Sequence, residues 1–381
     1  MWYWHFRARK NTETAALVLW FEGGPGGASS SDVFFSNGPF QLNNWPKGSK
    51  KAALKNLTWV NEVNMVYPDF PLGVGFSTVT EEHVSRVGKQ VEEQILIFFE
   101  NFLKKHPEYK KRPLYIAGVS YGGHWVPRVA TALKYSENSD INVQGFYISS
   151  GLIDYRTIEE SYLPFALKYS NYTHFTEKQV KELTPLKDLC VYSIDSGRNK
   201  LHTVQTFRLC TSNFFYGILR KILEKNKKFS SSYMTGTPQF DFSFINFLND
   251  PSVQKYLGVR KNQFQKTNIT FLIEYSPANL FVDMKPYIAR LLDDGVKGVI
   301  LVGDMDFLTN YEMSEKVTSD LQWRWQTQYN AAPRAPCKYG MCKEYKNLRE
   351  VRVKDSGHGT SFFHPLYAFE IMISLTNWKP E

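Results

Sequence analysis

Residues Leu114 to Pro127, LYIAGVSYGGHWVP, restrict the fold of this chain more than any other stretch. A strand-like run, Leu114 to Gly118, meets a helical one, Gly122 to Lys134, across Gly118-Val119-Ser120-Tyr121-Gly122. A turn that tight leaves no room for side chains two residues before and two after its centre, where Gly118 and Gly122 stand. It also lifts the central serine above the end of a sheet, where a base can reach the hydroxyl. A bare G-x-S-x-G pattern recurs by accident and can be a close-packing β-α turn. With a strand before it and a helix after it, Ser120 becomes a candidate nucleophile.

The neighbouring segments supply the sheet. Trp2, Trp4 and Phe6 alternate with Tyr3, His5 and Arg7 as in a strand, and Ala15 to Phe21 reads as a fully buried one. Asn64 to Tyr67, Val143 to Ser149, Ile269 to Tyr275, Val296 to Val302 and Leu348 to Val353 are further expected strands. Helical spacing runs from Val84 to Lys105 and stops at His106-Pro107, and a closing helix is expected from about Pro365 to Leu375. Strands alternating with helices imply an α/β fold, a mostly parallel central sheet with helices on both faces. From about Tyr155 to Thr267 the rhythm lapses into helical, lysine-rich sequence. The expected organisation is therefore a core of residues 1–157, a helical insertion of 158–267 and a second part of the core, 268–381.

Several function classes drop out. No apolar run approaches the ~18 residues that span a bilayer, since Ile95 to Phe99 is followed at once by Glu100. The net charge of +9 suggests nucleic acid, but the 46 basic and 37 acidic residues are interspersed, and Glu224 breaks the densest basic run, Lys221 to Lys228. Cys190, Cys210, Cys337 and Cys342 have no histidine at metal-ligand spacing, so no metal is expected, and no motif calls for another cofactor. Four cysteines allow three pairings; pairing of neighbours would give two local staples and suit an oxidising compartment. Asn-x-Ser/Thr triplets at Asn56, Asn171 and Asn268 fit a secreted or lumenal chain. The opening MWYWHFRARK has no apolar signal core, so either the chain is cytosolic or a leader lies upstream of Met1.

A nucleophilic serine needs a base, and the base an orienting carboxylate, in the chain order Ser, acid, His for this architecture. His5, His83, His106, His124, His174 and His202 come too early, which leaves His358 and His364. His358 lies in Asp355-Ser356-Gly357-His358-Gly359, just past a strand, and is the expected base; His364, before Pro365, reads as a helix-entry residue. The acid should follow the strand Val299 to Val302, where Asp304 and Asp306 are equally placed and either can be a turn aspartate. Acyl transfer also needs N–H donors for an oxyanion. The N–H of Tyr121 is one, and the loop Gly23-Gly24-Pro25-Gly26 supplies the other; lacking a Gly-Lys-Ser/Thr ending, it is not a phosphate loop.

LVLWFEGGPGGASS, YPDFPLGVGFS, GVSYGGHWVP, VGDMDF and DSGHG, in this order, resemble the serine carboxypeptidases of the α/β-hydrolase superfamily. The resemblance spans nearly the whole chain and implies peptide-bond hydrolysis, with Asp306 as triad acid and Gly24 and Tyr121 as oxyanion hole. It implies that Trp20, Glu22, Gly23 and Val119 border the substrate, a peptide or small acyl compound, and that the helical insertion is a lid. It also implies a secreted, vacuolar or lysosomal glycoprotein. Oligomeric state is not implied.

The chain departs from the family where the substrate's terminal carboxylate is held. The family's clamp is an Asn in its W-x-N-G-G-P-G block, a Glu in F-x-E-x-G-P and a Glu before the nucleophile. Here those positions are Glu22, Ser36 and Val119, and a lone ionised Glu22 would repel a carboxylate. Gly27 replaces the family cysteine after GGPG. The altered clamp opens the alternative of an acyltransferase or esterase, and a start inside the family's opening strands that of a non-catalytic relative truncated at the N-terminus. The first strand, internal in family members, is expected to leave an open sheet edge.

Overall fold

The computed structural model describes residues 1–42, 52–79, 90–196, 200–236, 238, 240–259 and 263–378. Nine strands among them form one sheet: β1 Tyr3–Phe6, β2 Leu17–Phe21, β3 Asn64–Pro68, β4 Pro113–Val119, β5 Asn142–Ser149, β6 Lys297–Gly303, β7 Ala335–Cys337, β8 Gly340–Tyr345 and β9 Leu348–Val353. The spatial order is β1-β3-β2-β4-β5-β6-β9-β8-β7. From β3 through β9 every pairing is parallel, and β1, β7 and β8 add antiparallel margins.

Alternation along β2 shows why both faces are covered. Leu17, Leu19 and Phe21 enter one core, beneath the helices Val91–Lys105 and Gly122–Lys134, while Val18 and Trp20 enter the other, with Ile371 and Leu375 of the helix Pro365–Thr376. All five β2 residues are buried, as expected of a central parallel strand. The expected helix from Val84 begins at Val91 within the described residues; residues 80–89 lie outside them.

β1 is the edge strand, bonded to β3 on one side with no strand on the other among the described residues. Aromatic packing covers both its faces. Trp4 stacks on Phe6 and meets Phe34 edge-on, while Tyr3 and His5 pack on Phe102.

One expected strand is overturned: Ile269 to Tyr275 is the start of a helix, Ile269–Asn279. The Ile-Thr-Phe content suggested a strand, but the Asn268 side chain accepts from the Phe271 N–H (3.0 Å) and caps a helix there. Every regular element described between Tyr155 and Asn279 is helical. Within that region Cys190 bonds Cys210, and Cys337 bonds Cys342 in the β7–β8 hairpin, so the neighbours pair. Asn56 and Asn171 are exposed. Asn268 differs: its Nδ2 donates to the Gly73 carbonyl (2.8 Å), a bond that a glycan on that nitrogen would disturb.

Candidate active site

The crevice of an open parallel sheet lies beyond the carboxyl ends of its strands, and the site residues come from four such ends. Ser120 follows β4 with φ +60°, the left-handed conformation of a sharp strand-to-helix turn. Its N–H donates to the Ser149 carbonyl (3.0 Å) at the end of β5, and its own carbonyl accepts from Gly123 and Leu152 (2.9 Å each). The glycine requirement is physical at residue 118 but not at 122, where a Cβ would meet only the Phe21 carbonyl oxygen at an ordinary 3.4 Å. A Cβ on Gly118 would lie 2.7 Å from the Phe21 carbonyl oxygen and 3.3 Å from the Gly122 Cα.

His358 and Asp306 stand on the loops after β9 and β6, which are paired neighbours. His358 Nδ1 is 2.9 Å from Asp306 Oδ2. A carboxylate only accepts, so Nδ1 carries the hydrogen and Nε2 is the basic nitrogen. Asp306 is fully buried and held on both oxygens: the Thr309 N–H donates to Oδ1 (3.0 Å) and the Thr309 hydroxyl lies 2.8 Å from Oδ2. Thr309 Oγ1 is also 3.0 Å from His358 Nδ1 and 2.9 Å from the Ser150 carbonyl. The Gly359 N–H donates to Ser150 Oγ (3.2 Å), so the Ser120 turn and the His358 loop are both tied to the end of β5. Ser120 Oγ and the imidazole are not hydrogen-bonded in this structure. Burial alone would lower the His358 pKa; the Asp306 charge and hydrogen bond, with Glu22 adding, outweigh it and raise the pKa above the ordinary 6.5.

Sequence position left Asp304 and Asp306 level, and the geometry separates them. Asp304 faces the Asp355-Ser356 turn, where burial first and the Asp355 charge second raise its pKa. His364 caps the closing helix and pairs its Nε2 with the Asp355 carbonyl (3.0 Å).

The glycine loop after β2 presses against Ser120. A Cβ on Gly23 would lie 2.5 Å from Ser120 Cβ and 2.7 Å from the Tyr121 nitrogen. Gly24 takes φ +113° and is exposed. Among the described residues neither the Gly24 nor the Tyr121 backbone N–H donates to a protein group. Two uncommitted donors thus flank the serine, as an oxyanion site requires. Behind them His124, fully buried, stacks on the Tyr121 ring at 4.5 Å; burial lowers its pKa to about 3, so it is neutral packing.

Two expectations for the substrate side need correction. Trp20 has no exposed surface and cannot touch a substrate; its Nε1–H donates to Asp32 Oδ2 (2.8 Å). Nor is Glu22 a lone carboxylate. Asp32 pairs with it, and burial first, then the Glu22 charge, pushes the Asp32 carboxyl well above the usual range. A Cβ on residue 27 would lie 2.7 Å from Glu22 Cγ, so Gly27 leaves the space that the Glu22 side chain uses. Val119 is nearly buried, its Cγ2 3.9 Å from a Cβ position on Gly359.

Sequence reasoning missed Asp32, Thr309, Ser150 and Lys266. The Lys266 ammonium lies near enough to Asp32 and His358 to lower both pKa values. A cavity of about 1170 Å³, lined by Asn249, Gln254, Lys255, Phe264 and Lys266 among others, shares only Lys266 with this group and includes none of Ser120, Asp306 and His358. Among the described residues no cluster of His, Cys, Asp and Glu could hold a metal ion, and no helix is long and apolar enough to cross a membrane.

This sheet, with a left-handed serine at the tip of a central strand, defines the α/β-hydrolase class. The serine carboxypeptidase family profile matches residues 1–377. Serine carboxypeptidase-like 48 of Arabidopsis thaliana is 28% identical, covering 99% of this chain and 74% of the relative. Serine carboxypeptidase 3 of Oryza sativa subsp. japonica is 26% identical over 100% of this chain and 76% of its own. The crystal structure of Kex1(delta)p, a prohormone-processing carboxypeptidase from Saccharomyces cerevisiae, superposes with a TM-score of 0.81 at 21% identity, covering 98% of this chain and 86% of that one. The chain belongs to the serine carboxypeptidase family.

Proposed function

We propose that this chain is a serine-type carboxypeptidase that cleaves peptide bonds through an acyl-enzyme on Ser120. The observation that carries the reading is the Asp306–Thr309–His358 cluster, tied through Ser150 to the strand end that also holds the Ser120 turn. In this mechanism Ser120 Oγ attacks the scissile carbonyl carbon while His358 Nε2 takes its proton. Asp306 keeps the imidazole in the required tautomer and stabilises the imidazolium. The tetrahedral oxygen accepts from the Gly24 and Tyr121 N–H groups. As the intermediate collapses, the C–N bond breaks and His358 gives the proton to the departing amine. Water, deprotonated by the same imidazole, then releases the acid and restores Ser120.

The helical region, with a boundary near 157/158 and a return near 267/268, acts as the lid. Two disulfides and the exposed Asn56 and Asn171 suit a secreted or lumenal glycoprotein. The substitutions Glu22, Ser36 and Val119 at the clamp positions favour a second reading, an acyltransferase or esterase that ignores the substrate carboxylate. A fluorophosphonate probe tests the nucleophile: wild type labels and Ser120→Ala does not. Labelling that persists in Ser120→Ala refutes the assignment. Turnover of a blocked dipeptide in preference to its amide and a simple ester separates peptidase from esterase.

A further inference from the structure

The clamp positions of this chain offer Glu22, Ser36 and Val119, none of them a cation, yet the Lys266 ammonium lies over the ring of Phe35, the neighbour of Ser36. Lys266 lies where the chain returns from the helical region to the glycine loop. Its carbonyl accepts from the Ala28 N–H (2.9 Å), Thr267 bridges to Gly27, and the Asn268 N–H donates to the Gly26 carbonyl (2.9 Å). The loop beside Ser120 therefore fixes the Lys266 backbone.

The side chain is seated as well. The ammonium is 5.3 Å from the centre of the Phe35 ring and 4.9 Å from that of Phe242, within cation–π range. Phe35 in turn stacks on Phe362, four residues past His358, with centroids 5.0 Å apart at 12°. The seat thus spans from the residue next to Ser36 to the His358 loop. Lys266 is half-buried, and among the described residues its ammonium makes no ion pair and donates no hydrogen bond. Three charged N–H donors in that position are open to an anion. The nearby Asp32 carboxyl is pushed above the usual carboxylate range by burial first and the Glu22 charge second.

We propose that Lys266 binds the free carboxylate of the substrate, so that this chain selects peptides by a cation on the returning segment instead of the family's hydrogen-bonding acids. The proposal rests on the carboxypeptidase reading and removes the reason for the esterase one. It also differs in chemistry. Shared-proton acids hold a carboxylate only while they keep their proton, whereas an ammonium holds it wherever the carboxylate is ionised.

Calorimetric titration of the whole chain with hydrocinnamate and its neutral isostere hydrocinnamamide tests this without turnover. Wild type should bind the acid roughly 10- to 100-fold more tightly than the amide, the range of one charge-assisted hydrogen-bonded pair. Lys266→Met should bring the two within twofold by weakening the acid, and Lys266→Arg should retain most of the preference. Equal binding of acid and amide to wild type overturns the proposal even if Lys266→Met does not fold. A preference that survives in folded Lys266→Met also overturns it and makes Lys266 a counter-charge for Glu22. Failure of Ser120 to react with a fluorophosphonate would instead sink the hydrolase reading and leave this binding result standing.

Discussion

Gly23→Ala is the sharpest probe of the oxyanion geometry, because the structure says where the added methyl goes. Its carbon would sit 2.5 Å from Ser120 Cβ and 2.7 Å from the Tyr121 nitrogen. Non-bonded carbons rest at about 3.5–4.0 Å, so the glycine loop and the serine turn must separate by roughly 1 Å. Neither side yields easily. The serine turn is bonded to Ser149, Gly123 and Leu152, and the loop to Lys266 and Thr267. Overpacking of this kind costs about 1–3 kcal/mol of stability. The catalytic loss is larger. Oxyanion donors act within about 2.7–3.1 Å, and loss of one costs roughly 10²- to 10³-fold in kcat. A fall of that size is expected in kcat on an ester substrate, with KM changed less than fivefold and an intact urea transition. The rate of fluorophosphonate labelling should fall in parallel, since the probe's phosphoryl oxygen uses the same donors. A folded Gly23→Ala protein that turns over within fivefold of wild type would refute the placement of the oxyanion site between these loops.

Two predictions concern pH. His358 must be neutral to act as base and its pKa is raised above 6.5, so kcat/KM should fall about tenfold per pH unit below an acid limb lying above 6.5. Glu22 is one of the groups raising it, so Glu22→Gln should move that limb to lower pH; an optimum near pH 5 in wild type contradicts the reasoning. At the sheet edge, burial first and the neighbouring His106 second lower the His5 pKa from 6.5 to about 4. The folded state therefore resists protonation, and stability present above about pH 6.5 is lost as the pH falls toward 4. After discount for solvent screening, the loss between pH 7.5 and 5 is on the order of 1 kcal/mol. Urea melts of wild type and His5→Phe at the two pH values should differ in slope with pH; identical slopes would remove His5 as the cause.

The legible part of the fold is the part written in local rules. β2 and β4 announce themselves because a strand buried on both faces must be apolar throughout, and Ser120 because its tight turn has no room for a Cβ at residue 118. His358 follows from chain order. What stayed hidden depends on partners remote in sequence. Asp304 and Asp306 are indistinguishable until the β9 loop is placed, when one meets the imidazole and the other a turn. Ile269 to Tyr275 has strand composition, and its helix is decided by the Asn268 cap, whose other hydrogen bond reaches back to Gly73. Thr309 carries a faint signal in retrospect, three residues past Asp306, a spacing that lets a hydroxyl and N–H return to a carboxylate.

Glu22, Gly27, Asp32 and Lys266 form one connected group. A larger acid at residue 22 needs the space that a Cβ at residue 27 would fill, and Gly27 leaves it open. A carboxylate there raises the cost of a second buried charge, and the Asp32 carboxyl, under the Trp20 indole, is pushed above its ordinary range by burial first and the Glu22 charge second. The Glu22 charge also raises the His358 pKa, and the Lys266 ammonium acts in the opposite sense on both His358 and Asp32. These four fit one another in volume and in charge. That fit is why we favour an altered way of holding substrate over a non-catalytic relative as the reading of Glu22 and Gly27, where the family has Asn and Cys.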